Sequence, residues 1–113
     1  MVLNAGHLNR RIQIQRATST RDSFGGTERE WRDYGPTISA RRQDLSDSAR
    51  VIAGLLGNKL VTRFTIRATT FARGISRSDR LVHEGLTFEI DGIKEVSGHR
   101  RFIEITAKSD QVQ

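Results

Sequence analysis

The sequence predicts an all-β protein, a small barrel or sandwich of about eight short strands with one short helix inserted between strands. Apolar residues recur at every second position through most of the chain, and glycine-containing pairs separate the runs. The chain is also short. At 113 residues it forms one expected domain, 1–113, with a single small core.

Strand one is expected from Leu8 to Arg16, where Ile12 and Ile14 face one way and Arg11, Gln13 and Gln15 the other. Ala17 to Gly26 is polar and closes on Asp22, Ser23, Phe24, Gly25 and Gly26, a turn signal that fits a long hairpin or an open loop. Glu28–Asp33, centred on Trp31, and Thr37–Gln43, with Ile38 and Ala40 on one face, read as strands two and three. Pro36 between them suits a strand start or edge. Leu60 to Ala68 alternates most clearly, with Arg63 and Arg67 on its outer face.

After a loop through Gly74, short strands follow at Arg80–His83, Leu86–Ile90, Ile93–Val96 and Arg101–Ala107. Glu84–Gly85 and Asp91–Gly92 both read as two-residue hairpin turns. Residues 109–113 form a polar tail. Closure into a barrel or sandwich follows because a single sheet of this length would leave two exposed edges.

Between strands three and four the period changes. Ser46 can cap a helix, Asp47 favours its positive end, and Ala49, Ile52, Ala53 and Leu56 share a stripe that Gly57 can stop. The predicted helical insertion spans about 45–57. Val51 and Leu55 widen the stripe around most of the circumference, so this helix must pack on two sides or meet another chain. Val51, Ile52, Leu55 and Leu56 are therefore candidate subunit or partner contacts.

The charge balance is +6, and 16 of the 19 basic residues are arginine. Guanidinium suits interface ion pairs and phosphate contacts better than lysine ammonium, although a GC-rich genome produces the same bias. Arg10–Arg11, Arg41–Arg42 and Arg100–Arg101 form doublets. Arg41, Arg42, Arg63, Arg67, Arg100 and Arg101 are candidates for intersubunit bridges or for a surface facing DNA. A small basic β-barrel that binds nucleic acid is the alternative reading. Aromatic support for base stacking is weak: Phe64 and Phe88 point inward, leaving Phe24, Trp31, Tyr34, Phe71 and Phe102.

Other chemistry is not indicated. The absence of Cys removes disulfides and thiolate catalysis and fits a reducing cytoplasm. His7, His83 and His99 lack ligand spacing, so no metal is expected. Ser78, Asp79 and His83 lack a nucleophile elbow, and no glycine loop carries the residues of a phosphate cradle. Neither catalysis nor a cofactor is expected. The longest uncharged run is the nine residues from Met1 to Asn9, too short to span a membrane, and no signal peptide is visible.

Taken in order, several of these elements resemble one family. They are Ala5, Gly6, His7, Leu8, Asn9, Arg10, Arg11 and Ile12 running into strand one; Asp22, Phe24, Gly25 and Gly26 before Trp31; and Thr65, Ile66 and Arg67. Then come Asp79, Arg80 and Leu81; Gly85, Leu86, Phe88, Glu89 and Ile90; and the closing strand Arg101–Ala107. Over nearly the whole chain this is similar to the small head-tail joining, or head-closure, proteins of tailed bacteriophages and gene transfer agents.

That resemblance implies a structural virion component without catalytic residues. It implies a homo-oligomeric ring, a dodecamer, in the connector below the portal and adaptor, closing the DNA-filled head and docking the tail completion or tail tube protein. Assembly would take place in the host cytoplasm, and contact with packaged DNA would be non-specific. In some members an inserted loop reaches into the channel. The matching stretch here, Asp44 to Asn58, is apolar where a polar plug would be expected. A chain whose thin core is completed by its neighbours fits a ring subunit, which uses two different patches against those neighbours.

Overall fold

A computed structural model describes residues 5–21, 24–45, 60–96 and 99–109. A 3-10 turn at Ala5–His7 precedes seven strands and one short helix: β1 (Arg10–Arg21), β2 (Thr27–Asp33), β3 (Ile38–Asp44), β4 (Leu60–Arg67), α1 (Thr70–Arg73), β5 (Arg80–His83), β6 (Leu86–Val96) and β7 (His99–Ser109). Every pairing is antiparallel. β1, β3, β4, β7, β6 and β5 form a ring that closes where β5 returns to β1, through Gln13↔Val82, Ile14↔Leu81 and Gln15↔Arg80. β2 is the seventh strand and pairs with β1 from Gln15↔Asp33 to Arg21↔Thr27.

Closure follows from alternation. In register, Ala40, Ile66 and Ile103 point inward on β3, β4 and β7, and Ile14, Leu81 and Phe88 do so on β1, β5 and β6. Phe64 and Phe88 meet edge to face at the centre, with centroids 5.3 Å apart and planes at 82°. Rolling the sheet buries these side chains together and removes the open edges that a flat sheet would keep.

The predicted barrel is present, with seven strands where about eight were expected. Asp91–Gly92 does not turn the chain. β6 runs straight through it against β7, and the ladder slips there from Ile90↔Ala107 to Gly92↔Thr106. Asp91 is thus the extra residue of a bulge. Ile90 and Ile93 lie an odd number of residues apart, and the bulge shifts the phase so that both reach the core. A flanking isoleucine on each side looks the same in a hairpin and in a bulge. The Glu84–Gly85 turn is as predicted, with φ of 50° and 80° at its two central residues and His83↔Leu86 closing it.

Two further differences bear on the surface. β1 continues to Arg21, beyond the expected end at Arg16, and its outer part with β2 makes a two-stranded arm. α1, placed within a loop by the sequence, is capped by the Thr69 side chain, which accepts from the Ala72 amide at 3.0 Å. It carries Ala72 into the core, followed by Ile75. Phe102 is 7% exposed and so offers no stacking platform. The expected 45–57 helix and the 109–113 tail lie outside the described residues, apart from Leu45 and Ser109.

Candidate assembly surface

The arm starts at the barrel wall. Arg16, on β1, donates through Nε and Nη2 to both oxygens of Asp79, at 2.9 and 3.0 Å, and through Nη2 to the Gly74 carbonyl at 2.8 Å. The Asp79 side chain is 1% exposed and also accepts from the Ser76 amide. The fork-on-fork pair locks the loop after α1 to the base of the arm, and Asp79 raises the Arg16 pKa above its ordinary value. The Arg16 guanidinium also lies 3.7 Å over the Tyr34 ring, which stacks on Phe71 at 5.1 Å.

Beyond this base the arm is largely exposed, with only Ala17 and Trp31 half-buried among its described side chains. Among the described residues, β2 pairs only with β1, and Arg16–Arg21 pair only with β2. Among the described residues both long edges of the arm therefore keep backbone groups without a strand partner. Its turn presents Phe24, 96% exposed.

A second polar cluster links β1, β3, β4 and the β5–β6 turn. Arg10 donates to Glu84 at 2.7 Å, and Arg42 stands 3.6 Å from the other Glu84 oxygen. Arg42 also donates to Asp44, which accepts from the Thr62 hydroxyl at 2.8 Å. Burial pushes the Asp44 carboxyl pKa up, but the hydrogen bonds from Arg42 and Thr62, with the charges of Arg42 and Arg10, outweigh it and hold the group below its ordinary range. His83 is buried behind Glu84, with Nδ1 3.0 Å from the Arg11 carbonyl and Nε2 without a hydrogen bond among the described residues.

The predicted arginines do not form one stripe. A doublet within a strand sends its side chains to opposite faces. Arg41 therefore shares the outer face with Arg63 and Arg67, while Arg42 takes the inward side and is only 17% exposed. Arg63 lies 3.7 Å from Glu104 on the neighbouring strand. Arg67 and Arg101 are exposed, and Arg100 is on β7. Val51, Ile52, Leu55 and Leu56 lie outside the described residues. Sequence reasoning missed the Arg16–Asp79 lock, whose partners are 63 positions apart, and of the arm it read the β2 half as a strand and Ala17–Gly26 as a long hairpin or open loop.

A model of the phage head completion protein family matches residues 3–110. The chain belongs to that family. This head completion protein is a virion structural protein, and its family is not a family of enzymes. Its fold is similar to the solution structure of protein SF1141 from Shigella flexneri 2a, with a TM-score of 0.72 and 26% identity, covering 95% of this chain and 96% of that one. It is also similar in fold to a chain from the virion of a native gene transfer agent particle, with a TM-score of 0.70 and 21% identity over 94% and 97%. Comparison with curated proteins gave no match.

Proposed function

We propose that this head completion protein forms a ring in the head-tail connector, below the portal and adaptor, where it closes the DNA-filled head and docks the tail. The observation that carries this reading is the arm, a ribbon whose two edges have no strand partner among the described residues and which has no role in closing its own barrel. The molecule is correspondingly long, 54 × 34 × 22 Å with a radius of gyration of 15.3 Å, against about 13 Å for a compact chain of this size. An element that extends from a finished barrel supports contact with a neighbour through backbone pairing.

A ring subunit needs two different patches. The arm is one. The apolar 45–57 segment, through Val51, Ile52, Leu55 and Leu56, is the other, against a neighbouring subunit or the adaptor. Arg41, Arg63, Arg67 and Arg101 supply bridges at its borders or line the DNA channel, and Arg42 and Arg100 belong to the same basic set. The whole chain, 1–113, acts as one domain.

The experiment is complementation of particles lacking the protein. Without it, electron microscopy is expected to show tailless heads that lose their DNA, and the intact gene is expected to restore tailed, filled particles. Leu55→Ser with Leu56→Ser is expected to fail to restore them although the purified variant folds. Tailed, DNA-retaining particles formed without the protein would overturn the proposal.

A further inference from the structure

We propose that the groove around Trp31 binds the phosphodiester backbone of duplex DNA without regard to sequence. The groove holds about 630 Å³ and lies between the arm and the barrel. Arg29 and Trp31 enter it from β2, Arg77 from the turn before β5, Arg80 from β5, Glu89 from β6 and Lys108 from β7.

Its charges are what point to a ligand. Six guanidiniums outside the groove are matched within the chain: Arg10 to Glu84, Arg16 to Asp79, Arg32 to Glu30, Arg42 to Asp44, Arg63 to Glu104 and Arg73 to Glu95. Arg29, Arg77 and Arg80 have no carboxylate partner among the described residues. Asp79 also lines the groove, but Arg16 already neutralises it, and Lys108 stands 3.6 Å from Asp91. Among the described residues three guanidiniums thus share the groove with one further carboxylate, Glu89, which stands opposite Arg80 in the ladder, an excess of positive charge in a concave surface, where field lines concentrate.

Duplex is favoured over single strand by the state of the indole. The Arg80 guanidinium lies 4.4 Å from the Trp31 ring centroid and that of Arg29 lies 5.1 Å from it. The ring is engaged by cations and is not offered to a base, whereas single-strand grooves work by stacking bases on open aromatics. A duplex keeps its bases stacked internally and presents phosphates, which planar guanidiniums bind in bidentate fashion.

Trp31 is the only tryptophan in the chain, so its emission reports on this groove directly. The test titrates the full chain with a short duplex across a range of salt. Binding with a change in Trp31 emission is expected, with a log–log salt slope of about −3, from roughly 0.9 per phosphate neutralised. Arg77→Ala and Arg29→Ala, both at exposed positions, should each reduce the slope by about 1 and weaken all sequences alike. Arg32→Ala, which removes only the exposed pair with Glu30, should leave the slope unchanged. The proposal is overturned by any of four results: no binding at about 50 mM salt, an unchanged slope in Arg77→Ala, equal titration by polyglutamate of the same charge, or tighter binding of single strands than of duplex. Because the measurement uses the isolated chain, its failure is separate from any failure of the connector assignment.

Discussion

Gly35 shows how much one residue can be required to do. Its φ is 72°, and a Cβ added there would overlap the Phe71 ring. Gly35→Ala should therefore combine left-handed backbone strain with a packing conflict and lose about 2–4 kcal/mol in denaturant unfolding. Gly85 provides the control. It has φ of 80° but open space around its Cβ position, so Gly85→Ala should lose only about 1 kcal/mol. Equal losses would remove Phe71 from the explanation.

The two carboxylates held by arginine should behave differently. Asp79→Ala leaves the Ser76 amide without its acceptor and a half-exposed Arg16 with only the Gly74 carbonyl, and a loss of about 2 kcal/mol is expected. Asp44 is exposed enough that its contribution is at most about 1 kcal/mol. Its folded pKa is depressed, so this contribution is complete above the unfolded value of 3.8 and is lost as pH falls through the folded one. Unfolding midpoints from pH 7 down to 2 should show Asp44→Asn converging with the parent at the acid end. A gap that stays constant would contradict this.

At the scale of elements, the arm and the barrel differ in what holds them. The barrel strands each have partners on both sides and a buried face, while the outer arm has one partner per strand and little apolar burial. Amides of β2 and of 16–21 should exchange with solvent orders of magnitude faster than those of β4 and β7 in the free protein. Uniform protection would show that the arm is part of the cooperative unit. The arm's polarity also explains why its β1 half does not read as a strand, although its β2 half does. Ala17, Thr18, Ser19 and Thr20 show no period-two contrast, because alternation marks a strand only where one face is buried. α1 was hidden for a related reason: its four residues are too few to show a helical period, and Thr69 as a cap is recognisable only once the turn is formed.

The bulge in β6 belongs to the same scale. Deleting Asp91 would remove the bulge and leave Ile90 and Ile93 two residues apart on one face, so the ladder to β7 and the inward position of Ile93 should both survive, with a change of no more than about 1 kcal/mol in denaturant unfolding. A hairpin at this position would lose one of its two turn residues and unfold far more easily, so a large loss on deletion would contradict the bulge.

For the whole molecule, the sequence by itself determined the class of fold, the inward set of side chains and one of the two tight turns. Ile12, Ile14, Phe64, Ile66 and Phe88 declare themselves by alternation alone, and all of them are buried. These are local properties, since two neighbours along a strand suffice to say which side chains share a face. The tertiary structure alone decided which strands meet: that β5 returns to β1 to close the ring, that Arg16 finds Asp79, and that Arg29, Trp31, Arg77, Arg80 and Lys108 converge on one groove. The groove residues come from three separate segments of the chain, 29–31, 77–80 and 108. Only closure of the barrel, driven by burial of the shared core, sets the distances between them.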